Sequence, residues 1–118
     1  MSGPRIILVA TDLMLASRLV GLAQGCGATV EQRRDLPATA GTFDLAVVDL
    51  QGLDEAPATA VARLRAAGTA EHPVRVVAFG PHVATRLLDE ARAAGADEVV
   101  SRGELLGNFP TIVRRWCG

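Results

Sequence analysis

The sequence predicts an α/β fold, a doubly wound (βα)5 unit around a five-stranded parallel sheet, and three observations carry that prediction. Short apolar, β-branched runs alternate with amphipathic stretches along the chain, the pattern of repeated strand-helix units. Hydrophobic residues make up 49% of the chain but aromatics only 3%. The core must therefore be aliphatic, which suits a sheet covered by helices on both faces. At 118 residues the chain has the length of one domain able to bury its own core without staples.

The first strand is expected over residues 5–10 (RIILVA), a continuous apolar run of the kind that a doubly covered strand needs. A helix follows from about Leu13. Leu15, Leu19, Leu22 and Cys26 share one of its faces, Thr11 or Asp12 caps it, and Gly25 and Gly27 end it. Residues 28–32 (ATVEQ) read as a more polar edge strand. Between positions 33 and 42 there is room for one or two helical turns, capped by Asp35 with Pro37 in the first turn. Residues 44–49 form the third strand. A loop leads from there to a helix over residues 56–67, with Pro57 in its first turn and Gly68 as its stop. Residues 74–79 form the fourth strand, and Gly80-Pro81 breaks it. Val83, Leu87, Ala91 and Ala94 then line a helix ended by Gly95, and Val99 and Val100 centre the fifth strand. A turn is expected after Gly103, then a short last helix capped by Asn108 with Pro110 in its first turn and Phe109, Ile112, Val113 and Trp116 on its apolar side.

Composition excludes several chemistries. All twelve basic residues are arginine, so Schiff-base and lysine-base mechanisms are ruled out. A net charge of −1 supplies no basic field for nucleic acid. Cys26 and Cys117 lie far apart without metal-ligand spacing, as expected of reduced thiols. No apolar run approaches membrane-spanning length and no secretory leader is recognisable, so the expected location is the cytoplasm. The loop Ala10-Thr11-Asp12-Leu13 has no glycine to let amides cradle a phosphate, and no dinucleotide or P-loop motif occurs, which disfavours a small-molecule cofactor binder.

Four segments, ILVATD, FDLAVVDL, HPVRVVAF and AGADEVVSRGEL, together resemble the receiver domain of two-component response regulators over nearly the whole chain. That resemblance implies a flavodoxin-like doubly wound sheet of strand order 2-1-3-4-5 with its site at the carboxyl ends of the strands. It places the phosphoacceptor on Asp49 and the phosphoryl-contacting lysine on Arg102. The switch hydroxyl falls on Ala78 and the switch aromatic on Val99. The two acids that usually end the first strand fall on Thr11 and Asp12. Only Asp12, Asp49 and the Gln51 carbonyl then remain to hold Mg²⁺, a weak site.

Without lysine, hydroxyl or aromatic, the chain reads as a stand-alone pseudo-receiver. Such a module is not an enzyme, and it signals by contact with a protein partner, a histidine kinase or an output protein, or as a homodimer. The alternative is a divergent but phosphorylatable receiver using Asp49 with Mg²⁺. Asp12 also reads as a plain helix cap, and Arg102 as a standing ion-pair partner of Asp49, worth about 4 kcal/mol at about 4 Å and an effective dielectric near 20, before desolvation. His82, beside the Gly-Pro break, reads as a solvated helix-start residue. Arg114, Arg115 and Trp116 read either as a partner anchor or as a helix end folded onto the core.

Overall fold

Nine elements follow one another in the computed structural model, which describes residues 3–37 and 43–117. They are β1 (Arg5–Val9), α1 (Leu13–Gln24), β2 (Thr29–Arg33), β3 (Leu45–Asp49), α2 (Pro57–Ala66), β4 (Arg75–Gly80), α3 (Thr85–Ala93), β5 (Glu98–Ser101) and α4 (Arg102–Cys117). The strands form one parallel sheet in the order β2-β1-β3-β4-β5, as expected. Alternation along each strand sends neighbouring side chains to opposite faces, and the core divides accordingly. Ile6, Leu8, Leu45, Val47, Val77 and Phe79 pack with α1 and α4. Ile7, Val9, Ala46, Val48, Val76 and Ala78 pack with α2 and α3. No helix among the described residues is long and apolar enough to cross a membrane.

The Ala94-Gly95-Ala96-Asp97 stretch joins α3 to β5 by backbone geometry. Gly95 takes φ +92°, a conformation that glycine adopts at little cost, and the Ala96 amide donates back to the Ala91 carbonyl at 3.2 Å. The Asp97 amide then donates to the Val76 carbonyl at 2.8 Å, and its Oδ2 accepts from the Val76 amide at 2.7 Å. Its other oxygen pairs with Arg65 at 3.1 Å. These four residues set the register between β4 and β5.

Three expectations change. Residues 34–37 are not helical, and the rest of the predicted helical stretch between β2 and β3 lies outside the described residues. Val83 precedes α3 and is 74% exposed, because the helix starts two residues later and buries Leu88 and Ala91 instead, with Leu87 and Ala94 half-buried beside them. No turn follows Gly103. The Ser101 Oγ accepts from the Glu104 amide at 3.1 Å while the Ser101 amide donates to Glu104 Oε1 at 2.9 Å, a reciprocal cap that starts α4 at once. The last helical segment does begin near Asn108 as expected: this residue (φ −125°, ψ 15°) leaves the helical path, and Pro110 falls in the first turn beyond it, where its missing N–H costs no internal bond. The helix end folds inward: Arg115 pairs with Glu98 at 2.6 Å and the Trp116 ring N–H donates to Glu98 at 2.7 Å.

Candidate functional site

Asp49 ends β3, where the sheet opens at the carboxyl ends of its strands. Four buried apolar residues precede it, and the side chain emerges half-buried. Its Oδ1 accepts from the Gln51 amide at 3.0 Å, closing a tight aspartate turn into the loop before α2. Burial pushes the carboxyl pKa up from its usual value. The Gln51 amide and the nearby Arg102 charge oppose that rise, and the Asp12 charge adds to it.

Asp12 is a helix cap. Its Oδ1 accepts from the Met14 amide at 2.9 Å and the Leu15 amide at 3.0 Å, two of the donors left unpaired at the start of α1. Its Oδ2 is taken by the Arg102 guanidinium, across 90 residues of sequence. The Leu15 amide first, then Arg102, holds the Asp12 carboxyl below the usual carboxylate range. The Asp49–Arg102 ion pair therefore gives way to an Asp12–Arg102 pair. The reason lies in the backbone: the Ser101–Glu104 cap sets Arg102 at the first turn of α4, and α4 packs alongside α1, whose first residue follows Asp12.

This arrangement does not fit Mg²⁺ held by Asp12, Asp49 and Gln51. A hard cation needs free carboxylate oxygens, but both Asp12 oxygens are bound to donors and a guanidinium already supplies positive charge beside Asp49. Thr11 lies to the other side, near Gly52. Among the described residues no group of three or more His, Cys, Asp or Glu side chains is arranged to hold a metal.

Ala78 and Val99 are register partners on β4 and β5, on the face covered by α2 and α3. Ala78 is fully buried and Val99 half-buried. Neither carries a hydroxyl or a ring. Sequence reasoning missed Ser101, Glu104 and Glu98. The Ser-x-x-Glu spacing of the first two was a readable capping signal, whereas nothing local marks Glu98 as the anchor of Arg115 and Trp116.

The Arg102 assignment leads to a direct expectation. In double-mutant cycles on urea stability, Arg102→Met with Asp12→Asn should show clear coupling, since asparagine keeps the cap and removes only the charge. Arg102→Met with Asp49→Asn should come closer to additive. Stronger coupling in the second cycle would mean that the guanidinium serves Asp49.

No protein-family model matches the chain, and neither does any curated protein. Solved structures do resemble it. A response regulator from Thermotoga maritima superposes with a TM-score of 0.76 at 18% identity, covering 98% of both chains. The receiver domain of a sensor histidine kinase from Pseudomonas aeruginosa, with magnesium coordinated in its active-site cleft, gives 0.79 at 16% identity over 98% of each chain. An orphan response regulator of H. pylori gives 0.74 at 12% identity over 99% of this chain and 98% of its own. The fold of this chain is that of response-regulator receiver domains.

Proposed function

We propose that this chain is a receiver-like signalling module that acts by protein contact, with phosphorylation of Asp49 weak or lost. The observation that carries the reading is the Asp12–Arg102 pair. It commits to each other the carboxylate that would hold a metal and the cation that would meet a phosphoryl group, and the same carboxylate also caps α1. Asp49 keeps the position of a phosphoacceptor without those helpers. Ala78 cannot donate a hydrogen bond to a phosphoryl oxygen and Val99 has no ring to swing, so an event at Asp49 has no moving part to bias. In this reading the module is not an enzyme. Its partner is a protein, a kinase or an output component, engaged whatever the state of Asp49.

Intact-mass measurement after incubation with acetyl phosphate and Mg²⁺ tests this. Neither the wild type nor Asp49→Asn should gain a phosphoryl adduct, and beryllofluoride with Mg²⁺ should leave the amides of Arg86, Glu90, Val99 and Arg114 where they were. A phosphoryl adduct present in the wild type and absent in Asp49→Asn, or shifts spreading from Asp49 into α3, would favour the divergent, phosphorylatable receiver instead.

A further inference from the structure

A cavity of about 430 Å³ opens beside Asp49 rather than on it. Its wall is made by Thr11 after β1, by residues 34–36 after β2, by residues 52–55 after β3 and by Arg63 of α2. In the strand order 2-1-3-4-5 the path of the chain reverses between β1 and β3, and the crevice at such a reversal is where doubly wound sheets take their ligands. The volume falls within the range of small-molecule pockets. Neither Arg102 nor Asp12 reaches it.

The chemistry of the wall narrows the ligand. Arg34 and Arg63 face Asp35, Asp54 and Glu55, which leaves one negative charge in excess. Phosphates and nucleotides are therefore disfavoured, and an organic cation is favoured. Arg63 is spent on Glu55 Oε1 at 2.5 Å. Glu55 Oε2 is buried and meets no donor among the described residues, a costly state for a carboxylate oxygen, and the terminal torsion of glutamate is soft enough to turn it toward an incoming N–H. Arg34 has no ion-pair partner among the described residues, so its planar fork is open to a carboxylate. Leu36 and Leu53 supply the apolar part of the wall, suited to a methylene stem.

We propose that this cavity binds a small basic amino acid, its side-chain nitrogens on Glu55 and Asp54, its carboxylate on Arg34 and its stem along Leu36 and Leu53. Such a ligand carries a net charge of about +1 against the single excess negative charge of the wall. The inference is independent of what happens at Asp49.

The test is an amide-shift titration of the ¹⁵N-labelled chain with L-arginine, compared with agmatine (the same molecule without its carboxylate), L-glutamate and inorganic phosphate. L-arginine should give saturating shifts at Thr11, Gly52, Leu53 and Glu55, with agmatine roughly tenfold weaker for want of the Arg34 contact. Arg34→Ala should weaken L-arginine by about the same factor and leave agmatine unchanged. Glu55→Gln should weaken both, and Asp49→Asn neither. Shifts that stay linear with L-arginine, an equal or stronger response to glutamate or phosphate, or a loss of agmatine binding in Arg34→Ala would each overturn the proposal.

Discussion

Replacing Phe109 by alanine is expected to remove about 3–5 kcal/mol of stability, the cost of opening a cavity in a closely packed core. Phe109 is fully buried and belongs to the cluster that holds Leu105, Ile112, Leu8 and Val47 on the α1 and α4 face of the sheet. It also follows directly on the break at Asn108, so its ring pins the second half of α4 where the helical path has been interrupted. For a domain whose whole stability is about 5–15 kcal/mol, the loss leaves the variant close to unfolding at ambient temperature. Urea unfolding at fixed pH measures it as a lower midpoint at an unchanged slope. Val83→Ala serves as the reference, because Val83 is 74% exposed and should move stability by less than about 0.5 kcal/mol. Equal midpoints for the two variants would show that α4 is not anchored through Phe109.

The sheet was legible because strand runs and glycine stops are local signals. RIILVA, LAVVDL and the Ala-Gly-Ala-Asp stretch each declare their role within a few residues, and the strand order follows from the resemblance they carry. The last of these shows what such a resemblance reports. Gly95 and Asp97 serve backbone geometry and the pairing of β4 with β5, so this match speaks for the fold and not for chemistry at Asp49. The chemistry at Asp49 was harder to read, because it depends on where Arg102 points. Its partner lies 90 residues away and is chosen by the Ser101–Glu104 cap and by the packing of α4 on α1. Asp12 carried two readings, helix cap and metal ligand, of which the cap is the one its place before α1 favours. Only the positions of the Met14 and Leu15 amides decide between them. Val83 was misplaced for a simpler reason: α3 starts only at Thr85, so Val83 lies ahead of the helix and off the face that Leu87, Leu88, Ala91 and Ala94 cover.

Asp49→Asn is expected to stabilise the protein at neutral pH, which sets its cost as a charge against its use as an acceptor. Desolvation is the largest influence on this carboxyl and raises its pKa in the folded state above the ordinary value, while the Gln51 amide and Arg102 recover only part of the loss. A group that holds its proton more tightly when folded binds more protons in the native state than in the unfolded state, so its contribution to stability falls as pH rises through its folded pKa. Above that point the folded protein keeps a poorly solvated charge, and asparagine removes it while its own carbonyl still accepts from Gln51. The melting temperature of Asp49→Asn should therefore exceed that of the wild type at pH 7. The gap should close as acid protonates Asp49 between its folded pKa and the ordinary value of 3.8. Asp12 and Glu104 work in the opposite direction, since their lowered pKa values give stability that is lost in acid. Both carboxyls are present in the two proteins, so the difference between them isolates Asp49 together with its repulsion from Asp12. Calorimetry of both proteins from pH 7 down to about pH 4 separates the outcomes. A variant less stable than wild type at pH 7, or a gap that widens in acid, would mean that the Asp49 charge is compensated in the folded state and that the carboxylate is kept ready for chemistry.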